Sequence, residues 1–330
     1  MAKILDTTLR DGSYVVDFKI NAQQTFDIAK ALDNAGFSYI ETGHGLGLNA
    51  TTKQNMIGAS SDEAWLEATA AAVTNNKWGM FFIPGIGTES EIELASKYKM
   101  DFIRIGANVN EYERAEKYIK LAKEKGMFVY ANFMKSYAVS FEEFGVVAAN
   151  AVKMGADLVC IVDSAGAMLP EDVEGYVKAV KQNTDAPIGF HGHNNLGLAN
   201  INSIVALELG VDVIDTSLRG FGRSAGNTVT EIFLLTLLRK NIDLGYDILK
   251  VCDIAEKYID PLLQSYKQTD SISILSGYSK FHSSFQPVID KFASKHNVDK
   301  RKLMLELCKI DVLHAPDDLV EKIALSIKNS

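Results

Sequence analysis

Two histidines and one aspartate in this sequence have the residue types and spacing of a metal site. His191 and His193 stand two residues apart in the apolar run PIGFHGH, which predicts a β-strand near 187–193. Side chains at i and i+2 of a strand share one face, so the two imidazoles could hold one ion. Asp11 follows the apolar run near 3–9 and adds a carboxylate. This set suits Mn²⁺, Mg²⁺, Co²⁺, Fe²⁺ or Zn²⁺, unless one histidine packs in the core and the other caps a helix.

Three other features of the sequence could bind an anionic substrate. Arg10 adjoins Asp11 and offers a planar donor group to a carboxylate or an enolate oxygen, or it forms an ion pair at the rim. Ser164 follows the run ADLVCIVD and could donate to a bound carboxylate or help to cap the next helix. The glycine-rich segment 219–227 could bind phosphate, or it could bring Asn227 close to the metal.

Eight short β-branched runs must position these groups. They lie near 3–9, 37–42, 78–83, 101–106, 127–133, 156–164, 187–193 and 211–217. Segments with helical spacing, such as NAQQTFDIAKALDNAG, separate them, and this alternation requires a parallel sheet. Eight such units favour a closed (β/α)₈ TIM barrel over a Rossmann-type sheet, because no G-x-G-x-x-G follows the first run. In such a barrel the catalytic groups follow the C-terminal ends of the strands, where the polar positions above lie.

The remainder of the chain has a different pattern. From about residue 245 onward the strand signal stops, and amphipathic helical segments such as DDLVEKIALSIKN follow. We therefore predict a catalytic barrel over 1–245 and a C-terminal helical region over 246–330.

Composition excludes several classes of partner. The 330 residues are 47% hydrophobic and 23% charged, and the formal net charge is −8. Without a Lys/Arg-rich block, neither nucleic acid nor an anionic membrane is an expected partner. Charged residues precede any apolar run at the N-terminus, so we expect a cytoplasmic protein. The three cysteines, Cys160, Cys252 and Cys308, are odd in number and set in apolar surroundings, which indicates buried thiols.

Four motifs in order along the chain carry a family resemblance. They are DTTLRDG at 6–12, ETGHG at 41–45, HGHNNLGLAN at 191–200 and GRSAGNTVTE at 222–231. Together they resemble the DRE-TIM metallolyases, the HMGL-like superfamily. The tail at 276–309 and the run ETGHGLGL resemble the 4-hydroxy-2-oxovalerate aldolase branch. The related synthases usually carry a further regulatory domain, for which the chain has no room.

The resemblance implies roles for particular residues. A divalent metal, with Mn²⁺ preferred, would be bound by Asp11, His191 and His193, and Asn227 would be an extra ligand or a neighbour of the site. Arg10 and Ser164 would hold the pyruvate moiety, and Tyr278 would line the substrate site.

One position departs from the family pattern. Where these aldolases place the histidine that acts as general base, this sequence has Tyr14, and a phenol with a pKa near 10 is a poor base at neutral pH. The base could be Tyr14, His44 or a water on the metal, although Glu41 and His44 could instead only brace the site. No cysteine falls within 218–231, so a 3-hydroxy-3-methylglutaryl-CoA lyase is not expected.

These features predict an aldolase that makes or breaks a carbon–carbon bond through a pyruvate enolate. Two alternatives stay open: a Claisen-type synthase joining an acyl-CoA to a 2-oxo acid, and a non-catalytic paralogue that binds metal and 2-oxo acid. The resemblance also allows an acylating aldehyde dehydrogenase as a partner, and a homo-oligomer is expected.

Overall fold

Eight parallel strands close into a barrel in chain order in the computed structural model, which describes residues 2–52, 56–263 and 270–328. The strands are β1 (Lys3–Asp6), β2 (Tyr39–Thr42), β3 (Lys77–Phe82), β4 (Phe102–Asn108), β5 (Phe128–Met134), β6 (Leu158–Asp163), β7 (Ile188–Gly192) and β8 (Val213–Thr216). The sheet closes because Leu5 of β1 lies opposite Tyr39 on one side and Asp215 on the other. The predicted (β/α)₈ TIM barrel and all eight predicted strands are confirmed.

Helices follow the strands, and all except the short first one, which lies at the mouth of the barrel, cover its outside. They are α1 (Thr8–Gly12), α2 (Ala22–Asn34), α3 (Asp62–Ala72), α4 (Glu89–Lys97), α5 (Glu116–Glu124), α6 (Phe141–Met154), α7 (Pro170–Asn183), α8 (Ala199–Glu208), α9 (Thr230–Arg239) and α10 (Ile248–Ile254). Local sequence sets their ends. For example, Ser140 and Glu143 form a capping box at the start of α6, and Gly155 ends it at a φ of 111°, which glycine adopts without strain.

The inside of the barrel is built in layers. Tyr39, Phe102, Tyr130 and Val213 pack in an apolar layer with neighbours from the other strands. Two residues further along β2, β4, β5 and β8, the side chains on the same face are polar: Glu41, Arg104, Asn132 and Asp215. All four side chains are buried, so a polar and charged layer lies inside the barrel next to the apolar layer.

The C-terminal region is helical, as predicted, and consists of α11 (Ser271–Ser279), α12 (Gln286–His296), α13 (Lys300–Cys308) and α14 (Asp317–Lys328). These helices share an apolar cluster of their own, separate from that of the barrel. The barrel cluster continues past residue 245 to Val251 and Ile259. The predicted domain boundary at residue 245 therefore stays a prediction. The packing favours a boundary closer to the start of α11.

Two smaller observations concern the chain as a whole. In the described ranges no helix combines the length and the apolarity needed to cross a membrane. The three cysteines are all free thiols, of which Cys160 is buried inside the barrel, whereas Cys252 and Cys308 are half-buried.

Candidate active site

The chain turns sharply at the end of β1. The Asp6 carboxylate accepts hydrogen bonds from the Thr8 amide at 3.0 Å and the Thr8 hydroxyl at 2.8 Å, which starts the short helix α1. Strand one therefore ends three residues earlier than the sequence pattern indicated. Arg10 and Asp11 lie on this helix and not on the strand.

Asp11 meets the two histidines at the C-terminal mouth of the barrel. Potential ligand atoms of Asp11, His191 and His193 all lie within 4.8 Å of one another, and all three residues are buried. The Asp11 Oδ2 and Asn227 Oδ1 atoms are buried without a hydrogen-bond partner among the described residues. An unpaired buried carboxylate oxygen is costly, so this donor set fits a bound cation. It matches the set that the sequence predicted.

The second nitrogen of each histidine is already held. His191 Nδ1 lies 2.9 Å from Asp215 Oδ2, and His193 Nδ1 lies 3.2 Å from the Gly226 carbonyl oxygen. A protonated Nδ1 donating to these oxygens leaves each Nε2 free as a metal ligand. Burial lowers the pKa of His193 to about 3, which keeps the imidazole neutral.

Arg10 is fixed between two carboxylates. Its NH1 group donates to Asp11 Oδ1 at 2.6 Å, and its Nε donates to Glu41 Oε2 at 2.9 Å. Burial opposes ionisation of Asp11, but the adjacent positive charge of Arg10 prevails and holds its pKa well below the usual range. Asp11 is therefore an anionic ligand at any physiological pH.

A second buried arginine continues this ion-pair network to His191. Arg104 donates to Glu41 Oε2 at 2.9 Å, to Asn132 Oδ1 at 2.7 Å and to Asp215 Oδ2 at 2.5 Å. Asp215 in turn contacts His191.

This chain of contacts therefore connects Asp11 with His191 through the barrel interior. Its three carboxylates, on Asp11, Glu41 and Asp215, exceed its two guanidinium groups by one negative charge. The excess suits a bound cation.

A cavity of about 530 Å³ lies above this group. The barrel contributes part of its wall and the C-terminal region the rest. The lining includes Arg10, Asp11, Tyr14, Lys135, Ser164, His191, His193, Arg223, His282, Ser284, Phe285 and Leu313. Asp11, His191 and His193, which we call the metal group, form one wall of the cavity. A small molecule in the cavity would therefore contact these three side chains directly.

Ser164, which the sequence suggested as a donor to a bound carboxylate, lines the cavity. Its Oγ accepts a hydrogen bond from the Lys135 amide at 3.0 Å, so its own hydrogen is available for an acceptor in the cavity. The alternative role of Ser164 in a helix cap is not seen, because α7 begins only after Leu169 and the neighbouring Asp163 accepts from the Ala167 and Met168 amides in the loop before it.

Tyr278 is not brought to this group. Its side chain is 76% exposed on α11 and is not among the described residues that line the cavity. The first residue after Tyr278 that does line it is His282, four positions later. In this chain the predicted substrate contact of Tyr278 thus has no geometric support, because α11 turns that side chain to solvent.

Tyr14 lines the cavity from a 3₁₀ turn, Ser13–Val16, directly after α1. Burial raises the pKa of its phenol to about 12, although the nearby charge of Arg223 opposes the shift. The Arg223 guanidinium carbon lies 5.5 Å from the ring centroid. Tyr14 is placed to contact a substrate, but its hydroxyl remains protonated at neutral pH.

His44 does not line the cavity among the described residues. Its Nε2 lies 3.0 Å from the Met56 carbonyl oxygen, its Nδ1 accepts from the Leu46 amide, and its ring stacks on Phe18. Burial lowers the pKa of His44 to about 4. Both nitrogens are occupied, so the alternative in which His44 only braces its surroundings fits this geometry better than the role of a base.

The glycine-rich segment 219–227 separates its two arginines. Arg219 faces away from the cavity and pairs with Glu231 and Asp260, whereas Arg223 lines the cavity. Asn227 forms an isolated β-bridge with His193, and Gly222 leaves room for its side chain. Of the two roles considered for this segment, bringing Asn227 to the metal group has the geometric support.

Sequence reasoning missed several members of the site. Arg104 and Asp215 lie in runs that were interpreted only as strands, and Lys135 and His282 were not singled out. A charged residue inside an apolar strand pattern was the available signal for the first pair, since such a residue must face a polar barrel interior. No comparable local signal marks His282.

Comparison with known proteins identifies the family of this chain. Residues 1–257 match the HMGL-like family. The chain belongs to this family. A 4-hydroxy-2-oxovalerate aldolase of Carboxydothermus hydrogenoformans is 35% identical over 328 residues, covering 99% of this chain and 98% of that protein. Another, from Geobacillus thermodenitrificans, is 36% identical over 324 residues, covering 98% of this chain and 95% of the relative.

The fold has a further counterpart among solved structures. The carboxyl transferase domain of Rhizobium etli pyruvate carboxylase superposes with a TM-score of 0.81 at 17% identity, covering 99% of this chain and 60% of that one. At this identity the likeness concerns the fold alone. The HMGL-like match and the full-length aldolase relatives confirm the predicted family and the predicted enzyme class, a carbon–carbon lyase.

Proposed function

We propose that this HMGL-like protein is a divalent-metal-dependent aldolase that cleaves a 4-hydroxy-2-oxo acid into pyruvate and an aldehyde. The observation that carries the proposal is the buried group of Asp11, His191 and His193 in the cavity wall, where one carboxylate oxygen lacks a partner among the described residues. The full-length relatives named 4-hydroxy-2-oxovalerate aldolase support the substrate class.

These three residues would hold the cation, with Asn227 as a fourth contact. A mixed nitrogen and oxygen set of this kind is compatible with Mn²⁺, which we propose as the metal, and Mg²⁺, Co²⁺ or Zn²⁺ would also be accepted. The bound cation would polarise the 2-oxo group of the substrate as a Lewis acid.

Arg10 and Ser164 would orient the pyruvate portion. The guanidinium group of Arg10 is held rigidly by Asp11 and Glu41, so it needs no reorganisation to stabilise negative charge on the enolate oxygen. Ser164 would donate its hydroxyl hydrogen to the substrate carboxylate. Removing such a preorganised donor typically lowers kcat by about 10²–10³-fold.

The test is release of pyruvate, coupled to lactate dehydrogenase, from a panel of 4-hydroxy-2-oxo acids. Wild-type protein with added Mn²⁺ is compared with His191→Ala and with protein treated with a chelator. We expect cleavage that the chelator abolishes, that Mn²⁺ restores and that His191→Ala lacks. His296→Gln is the matched control, because His296 pairs with Glu321 on the C-terminal helices, away from the cavity.

Other outcomes would redirect the assignment. Thiol release from acetyl-CoA in the presence of 2-oxo acids, without cleavage of the panel, would identify a Claisen-type synthase. Binding of pyruvate and metal without any turnover would identify a non-catalytic paralogue. An acylating aldehyde dehydrogenase as partner, a homo-oligomeric state and a cytoplasmic location stay predictions from the sequence.

A further inference from the structure

Aldol cleavage requires a group that accepts the proton of the 4-hydroxyl. Neither side chain considered from the sequence is suited to this step. Tyr14 faces the cavity but keeps its proton at neutral pH, and both ring nitrogens of His44 are bonded away from it. The step needs an unprotonated group that contacts the cavity.

His282 has the required position. It lies at the end of the turn after α11, its side chain is buried at 4% exposure, and it lines the cavity together with Ser284 and Arg223. No Asp or Glu forms an ion pair with it among the described residues. Its side-chain nitrogens lie within hydrogen-bond distance of Ser284 and Arg223.

The contacts of His282 place one nitrogen, Nε2, beside Arg223 in the cavity wall. Arg223 NH2 lies 3.2 Å from Nε2, and a guanidinium group can only donate. Nδ1 lies 2.6 Å from the Ser284 hydroxyl oxygen, and the Ser284 amide N–H also points at Nδ1 from 3.2 Å. A neutral imidazole has one lone pair, so the Arg223 contact and the amide contact belong to different tautomers. In the tautomer that serves as the base, Nδ1 donates to the Ser284 hydroxyl, and Nε2 is an acceptor in the cavity wall.

The surroundings of His282 keep it neutral. Burial is the main cause that lowers its pKa well below 6.5, and the positive charges of Arg223 and Lys135 and the neighbouring His193 act in the same direction. The Phe285 ring packs beside it and is uncharged. An imidazole in this environment is unprotonated at neutral pH, which is the state that a general base requires.

We infer that His282 is the catalytic base of the proposed aldolase reaction. In the cleavage direction the substrate hydroxyl would replace the Arg223 N–H at Nε2. The hydroxyl proton passes to Nε2, C4–O becomes the aldehyde carbonyl, and the C3–C4 bond breaks. Its electron pair forms the C2–C3 double bond of the pyruvate enolate. Transfer of the proton from Nε2 to C3 then gives pyruvate and restores neutral His282.

The inference rests on the proposed function. Assays with two different substrates distinguish a failure of the inference from a failure of the proposed function. Cleavage of a 4-hydroxy-2-oxo acid needs removal of a hydroxyl proton, whereas decarboxylation of oxaloacetate reaches the same enolate without that step. In His282→Asn we expect kcat for cleavage to fall about 10²–10⁴-fold, the usual contribution of a positioned base. Decarboxylation and the affinity for oxalate, an analogue of the enolate, measured by calorimetry, should change less than about threefold, as in His296→Asn.

The pH profile supplies an independent readout. Wild-type cleavage should decline as the pH falls through the depressed pKa of His282, because protonation removes the acceptor. The residual cleavage of His282→Asn should lack this decline, while its decarboxylation profile should match that of the wild type.

Three results would overturn the inference. Cleavage retained in His282→Asn would show that another group accepts the proton. An equal loss of cleavage and decarboxylation, or a loss of oxalate affinity, would show a structural or binding role. By contrast, a wild-type protein that decarboxylates oxaloacetate but cleaves no hydroxy acid would overturn the proposed function itself.

Discussion

The barrel interior and the C-terminal helical region both border the cavity and both have apolar cores, but the barrel also contains buried ion pairs. Inside the barrel, Glu41, Arg104 and Asp215 form buried ion pairs that reach the metal group. The C-terminal helices pack through apolar side chains such as Leu303 and Leu307, which are fully buried. The buried charges on the strands fix the orientation of the side chains that would bind the metal. The apolar packing of the helices fixes only the position of one wall of the cavity.

This difference predicts that the barrel network determines metal binding and that the helical core contributes to stability. A buried ion pair is directional, and its members cannot shift without leaving a charge uncompensated. Apolar packing tolerates small displacements at modest cost. Changes in the barrel network should therefore alter metal binding, and changes in the helical core should alter stability without affecting the metal.

The largest effect is expected for Arg104→Met. This change leaves Glu41 and Asp215 buried without their shared partner, so the free energy of unfolding should fall by about 3–5 kcal/mol. Urea unfolding followed by circular dichroism measures it. A decrease below about 1 kcal/mol would mean that the two carboxylates are compensated by other groups.

Leu307→Ala makes the matching change in the helical core. Deleting a fully buried leucine side chain should lower the free energy of unfolding of this region by about 2–5 kcal/mol. Under native conditions the affinity for Mn²⁺ should stay that of the wild type, measured by calorimetric titration. A loss of metal affinity in this variant would contradict the idea that the helical core contributes to stability without affecting the metal.

Asp215→Asn tests the link between the network and the metal. Asparagine can still accept a hydrogen bond from His191 Nδ1, but the negative charge that orients and polarises the ring is gone. We expect Mn²⁺ to bind about 10–100-fold more weakly. The free protein should remain folded, and its near-ultraviolet circular dichroism spectrum serves as the control. Unchanged affinity would confine Asp215 to a structural role.

The smallest effect is expected where the two regions meet. Lys135 Nζ donates to the Leu313 carbonyl oxygen at 2.7 Å and lies 4.6 Å from the Phe285 ring centroid. Lys135→Met should cost about 1 kcal/mol of unfolding free energy and raise KM a few-fold. If kcat fell more than kcat/KM, the result would contradict a role of Lys135 in positioning the wall of the cavity.

The same lysine has a defined pH dependence. Burial lowers the pKa of Lys135 to about 8, whereas the unfolded chain keeps the proton until about 10.5. Between these values the unfolded state binds more protons, so the wild-type free energy of unfolding should rise with pH relative to Lys135→Met. Parallel pH profiles for the two proteins would show that Lys135 titrates as in the unfolded chain.

Much of this architecture could be predicted from local patterns. The eight strands follow from β-branched runs, and His191 and His193 follow from their spacing on one of them. Arg10 and Asp11 were assigned to the right end of the barrel, but the helix α1 on which they lie was not predicted, since the hydrogen bonds of Asp6 that start α1 have no signature in an apolar pattern.

The functions of individual side chains were less predictable. Tyr14, His44 and a water on the metal were the open candidates for the base. Only the surroundings of the two side chains distinguish them: Tyr14 lines the cavity with a raised pKa, and His44 is bonded elsewhere. Tyr278 and His282 lie four residues apart, yet one faces solvent and the other the cavity.

The sequence by itself determined the barrel, the family and the residues that could bind a metal, because strand periodicity and short motifs encode them locally. Only the tertiary structure decided that Arg104 joins Glu41 to Asp215 and that His282 enters the cavity. Both depend on contacts between residues far apart in the chain, 63 and 111 positions for the two ion pairs of Arg104. Such contacts arise from closure of the barrel and docking of the helices, which no local pattern specifies.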